Sequence, residues 1–150
     1  MDRILRLKPR DAGVAFVVTD MLCVGMGMGV PIFCILFGFV VGWYIARRAS
    51  ATTVRITDIL NRVLTQALLT STFTLLVMSI IWLPVGRALF DPDADLRSFG
   101  IPMILYEPTA SFVGWLVLMI AISPFLQLLT TIFASYLTLL YRSGRDGWGV

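Results

Sequence analysis

Asp20 stands inside an apolar run that extends from residue 12 to residue 46 and contains no other charged side chain. A carboxylate in the core of a bilayer is costly, so an acid in such a run is paired, protonated or open to a water-filled cavity. Two placements stay open. If the first helix begins near Met21, Asp20 is an interfacial cap. If the helix begins earlier, Asp20 is embedded, and its chemistry becomes the handling of a proton or a cation. The other apolar segments offer no second ionisable group as a relay partner. Polar residues that would line a path with Asp20 are Gly27, Gln66 and Gln127.

The same run holds Gly25, Gly27 and Gly29 in the sequence GMGMGVP. Successive glycines can expose backbone carbonyls to an ion, as selectivity filters do. They also mark a place where a helix breaks, because glycine permits unusual backbone angles and Pro31 removes a donor. Gly38 and Gly42 in FGFVVG form a small-xxx-small pair that lets a second helix approach closely, and Gly25 with Gly29 repeats the spacing. Such pairs serve either packing within the chain or a contact between copies of it. If the run were helical throughout, Asp20, Cys23, Gly27, Pro31, Cys34, Gly38 and Gly42 would share one face.

The remaining reactive residue types point to no catalyst. Asp91, Asp93 and Asp95 in DPDAD alternate like the first ligands of a calcium loop, but Leu96 stands where that loop needs glycine and Pro102 where it needs a bidentate glutamate. A solvated acidic loop is the better account. Cys23 and Cys34 would lie roughly 16 Å apart along one helix, too far to pair. The chain has no histidine. It shows no nucleophile and base pair, phosphate loop or zinc signature, so neither enzymatic activity, a cofactor nor a bound metal is expected. No basic stripe interleaved with aromatics marks a nucleic-acid partner.

The elements that must position these residues are membrane helices. Hydrophobic residues make up 58% of the chain and charged ones 14%, against roughly 45 to 50% and 25% in an average soluble domain. Besides residues 12–46, apolar segments cover 63–86, extending toward Phe90, and 110–141. Each is long enough to span. In the second segment Thr65, Thr72 and Ser79 line one side, with Gln66, Thr70 and Thr74 on an adjacent strip. In the third, Ser123, Gln127, Thr130, Ala134 and Thr138 form a stripe that starts at a kink expected at Pro124. These polar faces are expected to meet in the interior.

Trp43 and Tyr44, Trp82, Trp115, Tyr136 and Tyr141 sit near segment ends, where amphipathic rings anchor at headgroups. The connector 47–62 is rich in arginine and is expected to be cytoplasmic, with Thr57 and Asp58 offering a cap for the next helix. The loop 87–109 is acidic and is expected outside. Three simple crossings then place the N-terminus outside despite Arg3, Arg6, Lys8 and Arg10. The alternative is that residues 12–46 turn near Gly25 to Pro31 and return to the cytoplasmic side. A single straight helix over that run would measure roughly 50 Å against a core of roughly 30 Å.

The sequence therefore predicts an all-α integral membrane protein, a small polytopic helical bundle with three hydrophobic segments in a single membrane domain of the inner or plasma membrane. No cleaved signal is expected. Its expected role is that of a non-catalytic structural or accessory subunit, with the lipid bilayer around it and a homo-oligomer or another membrane protein as partner. The competing expectation is a small channel or transporter subunit that uses Asp20 and the broken glycine-rich helix.

Overall fold

The computed structural model describes residues 8–26, 31–52, 55–96 and 107–145. The described residues are mostly helical and contain no strand: α1 is Pro9–Met26, α2 Ile32–Thr52, α3 Ile56–Val85, α4 Pro108–Val117 and α5 Ser123–Arg145. A π-helical turn, Leu118–Ile122, joins α4 to α5, so the five helices form four columns. Three of those columns, Ile32–Thr52, Ile56–Phe90 and Pro108–Gly144, are long and apolar enough to cross a membrane. The shorter α1 is the fourth.

The first apolar run is not one helix. It stops at Met26 and resumes at Ile32, and Pro31 supplies a reason, since its ring clashes with the preceding turn of any helix that continues through it. The rings of Phe16 and Phe37 stack with centroids 5.6 Å apart, whereas on one straight helix they would be about 31 Å apart. α1 therefore folds back along α2. The stripe expected to run from Asp20 to Gly42 on one helix face is divided accordingly. Asp20 and Cys23 lie on α1, and Cys34, Gly38 and Gly42 lie on α2. Gly27 and Gly29 are outside the described residues.

Contacts along the columns give their directions. α2 and α5 run parallel, because Ile35, Gly42 and Ser50 meet Thr130, Ser135 and Arg142 in that order. α3 runs against both: Ile45 and Ala49 cluster with Ile59 and Val63, and Trp82 meets Trp115 edge to face at 4.3 Å. α1 runs with α3, since Phe16 meets Phe73 at 5.8 Å and Asp20 meets Thr74. The bundle thus has a basic end, with Lys8, Arg10, Arg47, Arg48, Arg55, Arg62 and Arg142, and an opposite end bearing Asp91, Asp93, Asp95 and Glu107 together with Arg87. Asp11 and Asp58 also stand at the basic end.

Helix ends depart slightly from expectation. Arg55, not Thr57 or Asp58, occupies the cap of α3 and makes no side-chain cap bond. Asp58 falls in the first turn instead, where a negative charge favours the helix dipole. The disturbance expected at Pro124 takes the form of the π-helical turn just before it. A proline there leaves the carbonyl four residues back without its helical donor, and a wider turn accommodates the ring. Ser71 on α3 braces this point by donating to the Pro124 carbonyl at 2.8 Å.

Candidate functional site

Asp20 is fully buried inside α1, 0% exposed, and is not a cap at its start. This overturns the interfacial placement, because α1 begins at Pro9, three turns before it. Two side chains from two other columns converge on the carboxyl. The Thr74 hydroxyl of α3 lies 3.0 Å from Oδ1 and 3.1 Å from Oδ2, and Gln127 Nε2 of α5 donates to Oδ1 at 3.2 Å. No cation pairs with Asp20 among the described residues. Gln127 stands near the middle of the Pro108–Gly144 column, so the cluster lies halfway between the two ends of the bundle.

The polar atoms around this cluster are not all used. The Thr74 hydroxyl is also 3.1 Å from the Thr70 carbonyl of its own helix. Gln127 is 1% exposed, yet its Oε1 has no hydrogen-bond partner, and the same holds for the hydroxyl of Ser123, which is 0% exposed. Ser123 lies one turn from Gln127 on the same face of α5, directly after the π-helical turn. Buried polar groups are ordinarily paired; the other two buried side-chain polar atoms without a partner among the described residues are the indole N–H groups of Trp82 and Trp115, whose rings meet each other.

A second polar region runs down the α2–α5 seam. Gly38 and Gly42 are both buried there. A Cβ at Gly42 would fall 2.2 Å from the Thr131 carbonyl oxygen and 2.9 Å from the Ala134 Cβ. A Cβ at Gly38 would fall 2.2 Å from the Thr130 hydroxyl and 2.7 Å from the Gln127 carbonyl oxygen. Only glycine permits this approach, and it brings backbone carbonyls within reach of hydroxyls: Thr130 donates to Ile35 at 2.8 Å and Ser135 to Gly42 at 2.9 Å.

The residues singled out from sequence thus separate. Asp20 and Gln127 are brought together. Gln66 is exposed on α3 and takes no part in the cluster, and Gly27 lies outside the described residues. Gly38 and Gly42 pack against α5 of the same chain, whereas Gly25 is exposed with nothing within 4 Å of an added Cβ. Gly29 is outside the described residues.

Not all polar faces turn inward as expected: Thr74, Ser123 and Gln127 do, but Thr65 and Thr72 are exposed. Thr131 and Ser135 were missed, although both follow Gln127 at helical spacing. They lie beside the positions 130, 134 and 138 chosen from the pattern.

The cysteines do not form a disulfide, and Cys34 is buried beside Met78, Trp115 and Met119 with Cys23 packed against them. At the acidic end, Asp91 accepts the backbone N–H of Asp93 at 3.1 Å in a local turn, and both side chains are exposed. Among the described residues, no group of three or more histidine, cysteine, aspartate or glutamate side chains is arranged to hold a metal.

The fold defines a helical bundle with three potential membrane spans. No protein family, curated protein or solved structure matches the chain.

Proposed function

We propose that this chain is a multi-pass protein of the inner or plasma membrane and serves as a non-catalytic structural or accessory subunit. The observation that carries this reading is the outward exposure of α3. The span Ile56–Phe90 is strongly apolar, yet only 11% of its most apolar window is buried within the chain. Such a helix needs lipid or other helices around it. Thr65, Gln66 and Thr72 are exposed among its leucines, and hydroxyl and amide groups in lipid favour partners on neighbouring helices. α3 is therefore the face offered to a second copy or to another membrane protein.

The charge at the two ends of the bundle supports a four-crossing topology with both termini in the cytoplasm. Three crossings would leave the basic N-terminal residues outside. The fold-back of α1 removes that conflict by bringing Lys8 and Arg10 to the end that holds the arginines of the 47–62 connector, in keeping with the rule that basic short loops remain inside. Cysteine accessibility tests the arrangement. Ser50→Cys and a cysteine before Pro9 should both resist an impermeant thiol reagent in intact cells; labelling of either from outside would overturn it.

Partner contact is tested by placing a photoreactive side chain at position 66 or 72 in native membranes. Protein adducts are expected, and adducts to lipid alone would overturn the reading. A second reading, a channel or transporter subunit, is favoured by the meeting of Asp20 and Gln127. It predicts ion flux in liposomes that Asp20→Asn alters, and the absence of flux in correctly inserted protein would remove it.

A further inference from the structure

We propose that Asp20 is a proton-binding site, in which the folded bundle holds the carboxyl as the neutral acid and the proton is the ligand. This goes beyond the accessory role and stands whether or not the chain conducts ions.

The first argument is a count of hydrogens. The Thr74 hydroxyl has a single proton and faces three oxygens, both of Asp20 and the Thr70 carbonyl, at 3.0 to 3.1 Å. In the acid form the three contacts need one proton each: the Asp20 O–H donates to Thr74, Thr74 donates to the Thr70 carbonyl, and Gln127 Nε2 donates to the remaining Asp20 oxygen. In the ionised form the same groups provide two neutral donors to a full charge. A buried ion carries a penalty of several kcal/mol that attraction to a counter-charge normally offsets. No counter-charge is present among the described residues.

The second argument concerns the neighbours. Cys23, one turn from Asp20 on α1, and Cys34 on α2, against which Cys23 packs, are the titratable side chains nearest by position and neither can carry a positive charge. α3 presents Thr74 and α5 presents Gln127, neither of which titrates. Among the described residues nothing bonded to the carboxyl lends it a positive charge, so an external proton is the species that neutralises it.

The exchange is a simple protonation: a carboxylate oxygen takes a proton from hydronium and leaves water behind.

Infrared spectroscopy of the purified full chain in lipid nanodiscs tests the proposal. At neutral pH the wild type should show a carboxylic-acid C=O band that shifts in D2O and is wholly lost in Asp20→Asn. Asn is shaped like the neutral acid and should preserve the helical circular-dichroism spectrum, separating loss of the band from loss of the fold. A folded wild type with carboxylate bands alone would overturn the site.

Discussion

The α2–α5 seam and the Asp20 cluster both bury polar atoms between helices, but they do so by different means. In the seam, glycine lets two backbones approach, and hydroxyls of Thr130 and Ser135 donate to carbonyls of the facing helix. Each donor there is neutral, and each also has an alternative acceptor on its own helix. In the cluster, one acid from α1 receives one side chain from α3 and one from α5, with unpartnered atoms close by in sequence on α5. The seam depends on shape and is distributed over several turns. The cluster depends on the chemistry of a single carboxyl and joins three columns at one level. A helical bundle can therefore hold two of its helices together without any ionisable group, which leaves Asp20 available for a role other than packing.

The largest effect should come from breaking the shape of the seam. Gly42→Ala places a methyl against the Thr131 carbonyl and the Ala134 methyl, neither of which can rotate away. Overpacking of this kind costs about 3 kcal/mol when the backbones must separate. Gly38→Ala should cost somewhat less, because its nearest obstacle is the rotatable Thr130 hydroxyl. Unfolding in mixed micelles measures both, and a neutral Gly42→Ala would show that the helices are not held at this distance.

Breaking the chemistry of the cluster should have the next largest effect and should depend on the replacement. Asp20→Ala leaves Thr74 and Gln127 without their shared partner and should destabilise the bundle by about 2 kcal/mol, within the range for unsatisfied buried groups. Asp20→Asn should cost about 1 kcal/mol or less, since it keeps a donor and an acceptor in place. Equal losses from the two in the same unfolding assay would mean that the carboxyl acts through its shape and not through its hydrogen bonds. Within the seam, Ser135→Ala should cost only about 0.6 kcal/mol, the typical worth of one interhelical hydrogen bond in lipid. That small figure against the large one for Gly42 is the contrast between distributed bonding and close approach.

Much of this was legible from residue types. Excess apolar length, GMGMGVP and the conflicting basic N-terminus raised a turn in residues 12–46 only as the alternative to three simple crossings, whereas Gly38 with Gly42 marked a close helix approach. Long-range pairing was not legible. Thr74 was visible as a polar residue on the second segment, but nothing local links it to Asp20, 54 residues away. The facing of α3 was also beyond reach, because polar residues occur on two of its strips and only packing decides which turns inward. Thr131 and Ser135 were lost to a rotation of one residue, which helical periodicity tolerates when threonine and serine lie side by side.

The smallest effect should belong to Gln66, and it sharpens the comparison because Gln66 and Gln127 are the same residue type on different sides of the bundle. Gln127 is buried and bound to Asp20, whereas Gln66 is exposed and about 12 Å along α3 from Thr74, toward the basic end. Gln66→Leu should therefore change the stability of the isolated chain by no more than about 0.5 kcal/mol, as expected of an exposed site. Gln127→Leu removes a donor to the acid and should act like a partial Asp20→Ala. If Gln66 instead serves a partner helix, Gln66→Leu will reduce crosslinking from position 72 while leaving unfolding unchanged. A loss of intrinsic stability at Gln66 matching that at Gln127 would mean that α3 turns this face inward, and both the outward face and the membrane-partner reading would fall with it.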